Sequence, residues 1–303
     1  MAATTTAATA AGVNLRRHKK VVVIMGPTGC GKSKLAVELA SRFFPSSEII
    51  NSDKIQVYRG LDITTNKIPL SERKNVPHHL LGEFDSQPEF TPADFRSSAA
   101  FAISDILSQG RVPFVVGGSN SFIYALLVKK FDPTVDVFDE PSAFCNELRY
   151  KCCFIWVDVS PPELNRYLVE RVDDMLESGM FEELADYFSD TKVPSKRSGL
   201  NRAIGVPEFE KYFNRFPNRS IIIPADDVAR REAYEEAVRS IEDNTCRLAK
   251  RQLWKIQRLR DAAGWDLNRV DATAAMGGDS SSEIWEREVV EPSVKIVKRF
   301  LME

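Results

Sequence analysis

The stretch VVVIMGPTGCGKSKLA, residues 21–36, constrains the fold more than any other part of the chain. Its apolar run Val21–Met25 reads as a strand buried on both faces, the habit of a parallel sheet covered by helices. The run passes directly into G-x-x-x-x-G-K-S, after which Leu35, Ala36, Leu39, Ala40 and Phe43 recur at helical spacing. Strand, glycine-rich turn and helix in that order is the context in which this motif cradles a phosphate. Gly26, Gly29 and Gly31 let the backbone aim its N–H groups inward at an anion, and the helix opening near Lys32 adds its positive dipole end. Lys32 supplies a mobile cation, and Ser33 is placed to ligate Mg²⁺. The motif specifies phosphate binding only, since kinases, ATPases, GTPases and other transferases share it.

Three further β-rich stretches, Glu48–Asn51, Val112–Val116 and Cys153–Val157, are mostly separated by helical patterns, as in β-α-β units. Phe95, Ala99, Ile103 and Ile106 mark a helix within 91–109 that closes at Gly110. Past Pro161-Pro162 the texture becomes helical: Leu164, Tyr167, Leu168, Val172, Met175 and Leu176 follow the i, i+3, i+4 rule, and the periodicity resumes over 226–260. The expected architecture is therefore an α/β P-loop domain over 20–159, with a parallel sheet flanked by helices, and a mainly helical second domain over 160–260. A channel is expected between them. The stretch 272–282 reads as a loop and Ser293–Leu301 as a helix packing back; no internal repeat is present.

The bulk composition excludes little. With 43% apolar and 28% charged residues and a net charge of -2, the chain is ordinary for a globular protein and lacks a polyanion binder's basic excess. No apolar run approaches the ~18 residues of a membrane span. The five cysteines form no C-x-x-C pair and the three histidines complete no metal cage. Residues 1–20, MAATTTAATAAGVNLRRHKK, contain no acid and end in a basic cluster, a composition that suits a plastid transit peptide or an inconsequential tail.

The second motif, EIINSDKIQVYRGLDITTNK over 48–67, decides more. In a βαβ unit its strand opens at the same rim as the cradle, which puts Asp53 where a carboxylate can reach a bound substrate. Three roles compete for it: a ligand supporting Mg²⁺, a general base facing the cradled phosphate, and a structural turn cap.

GPTGCGKSKLA and NSDKIQVYRGLDITTNK, with VPHHLLGEF at 76–84, VVGGSNSF at 115–122 and CCFIWVDV at 152–159, resemble the isopentenyltransferase family, in its plant adenylate-prenylating branch. The resemblance spans roughly 20–260. It implies transfer of a dimethylallyl group from its diphosphate to the exocyclic amine of adenine, a step of cytokinin biosynthesis. The cradle would then grip the donor's diphosphate, the leaving group, through Gly26, Thr28, Gly29, Cys30, Gly31, Lys32 and Ser33. Charge developing on that group would be stabilised by the loop amides, by Lys32 and by Mg²⁺ at Ser33. Asp53 becomes the base that orients the adenine amine and takes its proton.

The family match also carries Thr65, Lys67 and Arg202 to the donor end, and Gln56, Asp158, Lys250 and Arg251 to the acceptor nucleotide. Lys196 and Arg197 are recommended by charge alone, and the stripe Arg247, Lys250, Arg251, Lys255, Arg258 is also what a solvated helix face looks like. His78 and His79 match a family pair, with packing as plausible as chemistry. Cys30 raises the prospect of oxidation sensitivity. The rival within the family prenylates adenine in tRNA; its usual GPTASGKT, S-x-D-S-x-Q and GGTGLY differ from GPTGCGKS, Asp53-Lys54 and GGSNSF here. These departures favour a free nucleotide acceptor, and the resemblance, with its plant character, implies ADP or ATP ahead of AMP; no stable nucleic-acid or membrane partner is expected, and a monomer is compatible with the sequence. A small-molecule P-loop kinase and a non-catalytic nucleotide switch are the readings of other classes.

Overall fold

The computed structural model describes residues 19–86, 89–190, 199–216, 224, 226–277 and 281–303. Within them, β1 (Lys20–Met25), β2 (Ser47–Asn51), β3 (His78–His79), β4 (Val112–Gly117), β5 (Lys151–Asp158) and β6 (Leu267–Asp271) form one sheet. Its order is β3-β2-β4-β1-β5-β6 and every pairing is parallel. β1 lies centrally because both its faces are apolar. Val21, Val23 and Met25 enter one core, with Phe95, Ala99 and Ile103 of α2 (Pro92–Ser108). Val22 and Ile24 enter the other, with Leu35 and Leu39 from α1 (Lys32–Glu38) and its π-helical continuation Leu39–Phe43.

The expected strands and helices are present. α2 starts where Thr91 and Asp94 cap one another's backbone N–H groups, with Pro92 in the first turn. α4 (Pro161–Glu177) and the 34-residue α7 (Val228–Asp261) account for the two periodic stretches after Pro161. Between them lie α5 (Met180–Asp190) and α6 (Val206–Arg215), joined through rings such as Phe181, Phe209 and Phe213.

Three elements were not foreseen. α3 (Asn120–Leu127) is buried on all sides, so its sequence NSFIYALL has no amphipathic period to read. β3 is two residues long. β6 is an edge strand in which only Val270 is buried, so LNRVD has no apolar alternation. It pairs with β5, and residues after 261 thereby extend the sheet as well as packing on it. The returning helix is α9 (Glu291–Met302), whose Val294 and Val297 join the α1 side of the core. α8 (Ser281–Trp285) begins inside the stretch read as a loop, of which 278–280 lie outside the described residues, as do the tail 1–18 and Lys196 and Arg197.

Candidate active site

The sheet delivers three loops to its carboxyl edge. β1 ends at Met25, and residues 26–31 turn into α1 at Lys32. Gly31 has φ +84°, and a Cβ there would stand 2.6 Å from the Trp285 ring, so both backbone and space require glycine. Lys32 Nζ donates to Pro27 O at 2.9 Å, folding the cation over its own loop. Ser33, Gly29 and Gly31 line a cavity of about 170 Å³, with Asn51 and Asp53 across from them. Cys30 is fully buried beneath the loop, and burial pushes its thiol upward, which suits packing and not ready oxidation.

The second loop follows β2. Asn51 donates its side-chain amide to Leu80 O at 2.9 Å, and its Oδ1 accepts from Asp53 N at 3.3 Å. Asp53 Oδ1 in turn accepts from Ile55 N at 2.9 Å and Gln56 N at 3.3 Å. Half of the carboxylate therefore caps a turn; among the described residues Oδ2 accepts no hydrogen bond. The third loop, after β4, begins with Gly117, where a Cβ would collide with Ser52, so glycine is what lets the Asp53 loop cross this strand end.

A second cavity, of about 200 Å³, adjoins the first. The sequence-predicted Asp53, Gln56, Thr65, Arg202 and Arg251 all line it. Asp53, Gln56 and Thr28 border both spaces, so the carboxylate stands at their common wall. Gln56 Nε2 donates to Thr65 O and Asn66 O at 3.0 and 3.1 Å, and Glu183 of α5 accepts from Ile63 N and Thr64 N at 3.0 and 2.7 Å. These contacts hold the 61–67 turn against the cavity. Arg202 pairs with Glu89 on the rim. Lys54, also on the lining, has its ammonium pushed down by burial and by Arg202 and Arg251, with Asp53 opposing. Lys255 is depressed for similar reasons, burial first, with Lys54 and Arg251 beside it. Crowded cations of this kind mark a place for an anion.

Other predicted residues lie elsewhere. Lys67 Nζ is committed to Asp62 Oδ1 and Gly60 O at 2.6 and 2.5 Å and faces a separate outer cavity of about 840 Å³. Asp158, at the end of β5, accepts from Arg269 Nε at 2.7 Å and lines neither inner cavity. Lys250 is exposed on α7, one residue before Arg251, and lines neither of them. His78 Nδ1 meets Val76 O at 2.8 Å, and His79 Nε2 meets buried Glu48 at 2.6 Å, both anchoring β3.

Four contributors escaped the sequence reading. Gln252 accepts from Thr28 N at 2.7 Å, and its own carbonyl accepts from buried Asn120 at 3.1 Å, tying α7 to the cradle. Arg171 of α4 reaches Thr28 Oγ1 at 3.1 Å. Trp285 backs Gly31 while donating to Glu38 at 2.7 Å. Lys54 completes the set. Gln252 directly follows the predicted Lys250 and Arg251, and Lys54 stands where the sequence departs from S-x-D-S-x-Q, whereas Arg171 and Trp285 carry no motif signal.

The described residues hold no group of three or more His, Cys, Asp or Glu that could cage a metal. Ser33 at the mouth of the cradle, with Asn51 and Asp53 opposite, fits Mg²⁺ held mainly through substrate phosphate oxygens.

A phosphate cradle at the carboxyl edge of a parallel sheet, sharing a wall with a carboxylate and a cation-rimmed cavity, defines a P-loop group transferase that brings two substrates together. The IPP transferase family model matches residues 56–148 and 134–258. An adenylate isopentenyltransferase of Humulus lupulus is 55% identical, over 92% of this chain and 90% of its own. The chloroplastic adenylate isopentenyltransferase 1 of Arabidopsis thaliana is 52% identical, over 95% and 82%. A crystal structure of a eukaryotic dimethylallyltransferase acting on tRNA superposes with TM-score 0.77 at 25% identity, covering 93% of this chain and 79% of the other. The chain belongs to the IPP transferase family, on its adenylate isopentenyltransferase side.

Proposed function

We propose that the chain moves a dimethylallyl group from dimethylallyl diphosphate to the exocyclic amine of a free adenine nucleotide, ADP or ATP before AMP, as a step of cytokinin biosynthesis. The observation that carries this reading is the position of Asp53, on the wall common to the cradle and to the cation-rimmed cavity. The donor's diphosphate sits on the loop amides with Lys32 swung off Pro27 O onto it. The adenine enters the second cavity with its amine at Asp53 Oδ2, and its phosphates lie toward Arg251 and Lys54. As the allylic C–O bond breaks, its electron pair leaves with the diphosphate. The amine nitrogen forms the new C–N bond, and its proton passes to Asp53. General-base help of this kind contributes ~10²–10⁴-fold. Mg²⁺ at Ser33, when bound, supplies further positive charge to the departing diphosphate. Neither the cradle nor the acceptor cavity requires ATP hydrolysis in this scheme, which separates it from a kinase.

Residues 1–20 combine an acid-free composition with a basic end, and the Arabidopsis relative is named chloroplastic, which together support plastid targeting. Incubation with dimethylallyl diphosphate, Mg²⁺ and each of AMP, ADP, ATP and unmodified tRNA, with products resolved by mass, tests the main reading. Prenylated ADP and ATP are expected. Product on tRNA alone moves the chain to the tRNA branch; ADP released from ATP without prenylation makes it a kinase.

A further inference from the structure

The outer cavity, of about 840 Å³, takes no part in the transfer step, yet it meets the second cavity across a partition one residue thick. Asn66, Arg171 and Met175 line both spaces. Two of the three are tied by hydrogen bonds. Asn66 O accepts from Gln56 Nε2 at 3.1 Å and its N–H donates to Ile63 O at 2.9 Å, while Arg171 donates to Thr28 Oγ1 at 3.1 Å. Met175 of α4 fills the rest of the partition by packing on the core, with an unbranched thioether that bends readily.

The second cavity has two chemically different sides. Lys54, Arg202 and Arg251 make one of them charged; Val172, Met175, Ile241 and Leu248, from α4 and α7, make the other apolar. Phosphates of an acceptor belong on the charged side, which leaves the apolar side for the donor's hydrocarbon. That side begins at the cradle, because Leu248 lines the cradle cavity too. Val172 and Ile241, each 1% exposed, have packed core behind them. Met175 has the outer cavity behind it, where Ile63, Ile68 and Leu81 offer further apolar surface.

We propose that Met175 is a specificity-determining residue that sets the length of the prenyl chain: it ends the apolar side after five carbons and keeps a ten-carbon allylic diphosphate from extending into the outer cavity. The assignment rests on the reading of the cradle as the donor diphosphate site. The chemistry is the same for either donor. The allylic C–O bond breaks with its electron pair leaving on the diphosphate, the adenine amine forms the C–N bond, and the proton passes to Asp53. Only the room for the second isoprene unit differs.

The test supplies dimethylallyl diphosphate or geranyl diphosphate, with Mg²⁺ and ADP, to wild type, Met175→Ala, Met175→Leu and Ile241→Ala, with products resolved by mass. Wild type is expected to transfer the five-carbon group and scarcely the ten-carbon one. In Met175→Ala, kcat/KM for geranyl diphosphate should rise ~10–200-fold, the range over which small changes of room in an apolar pocket move discrimination. Met175→Leu conserves volume and should keep the wild-type preference. Ile241→Ala enlarges the second cavity toward the core without joining it to the outer one, so geranyl transfer should stay at the wild-type level. Pyrophosphate affinity by calorimetry should be unchanged throughout, since neither Met175 nor Ile241 lines the cradle cavity. A folded Met175→Ala with no gain on geranyl diphosphate overturns the assignment. So does an equal gain in Ile241→Ala, or a wild type that uses both donors equally. Should Met175→Ala not fold, Met175→Val decides by the same readout, and no gain there overturns the assignment as well. A wild type that binds no pyrophosphate sinks the reading of the cradle first, and this inference with it.

Discussion

Asp53 does two jobs with its two oxygens, and a substitution can separate them. Oδ1 caps the turn at Ile55, while Oδ2 accepts no hydrogen bond among the described residues and the residue lines both cavities. Asparagine keeps a carbonyl oxygen for the cap but cannot take a proton at neutral pH. Asp53→Asn is therefore expected to lower kcat by ~10²–10⁴-fold with pyrophosphate affinity nearly unchanged. A turnover assay paired with calorimetry checks both halves, and near-normal turnover removes the base role. Glu48 illustrates a carboxylate used for structure. Burial alone would raise it, but hydrogen bonds from His79 and Arg111 prevail and hold it below its ordinary 4.5. A depressed carboxyl stabilises the fold fully above the ordinary value and loses that contribution as pH falls through the folded one. The predicted loss of stability thus begins near pH 4.5 and grows below it. Glu48→Gln should cost about 1–3 kcal/mol at pH 7 and flatten the acid limb of Tm measured from pH 3 to 7.

At the level of elements, the cradle is held from outside its own strand and helix. α7 supplies Gln252 to the Thr28 amide, and α8 ends in the Trp285 ring behind Gly31. Gln252→Ala leaves a cradle N–H without its partner and is expected to weaken pyrophosphate binding ~10-fold or more, from a loss of about 1–3 kcal/mol. Trp285, 5% exposed, packs with α1 and α9, so Trp285→Ala should cost about 3–5 kcal/mol in a denaturant titration. Gly31→Ala should abolish pyrophosphate binding, because φ +84° strains any L side chain even where the ring behind it gives way.

For the whole molecule, the proposed donor and acceptor sites are two adjoining cavities that share Thr28, Asp53 and Gln56. Cations lining the second cavity come from the loop after β2, from Arg202 before α6, and from α7, and Arg202, which the family match carries to the donor end, lies there and not on the cradle cavity. Arg251→Ala is expected to raise KM for ADP and ATP ~10-fold and for AMP less, since each lost charge-assisted contact to an outer phosphate is worth about 1.5–3 kcal/mol before screening. Initial rates with the three nucleotides at fixed ionic strength measure this; an equal rise for all three would place Arg251 away from the outer phosphates.

The sequence by itself determined the phosphate cradle, the carboxylate at the end of the second strand, the two-sided burial of β1 and the long helices. Each is written in a local run of residues, with periodicity or motif spacing to read it by. Only tertiary structure decided that Lys67 and Asp158 are committed to Asp62 and Arg269, and that Arg171 and Trp285 converge on the cradle from positions more than a hundred residues beyond it. A polar side chain carries the same letter whether it meets a substrate or a neighbour. Its role depends on which elements the sheet order and the return of α7, α8 and α9 bring within a hydrogen bond of it.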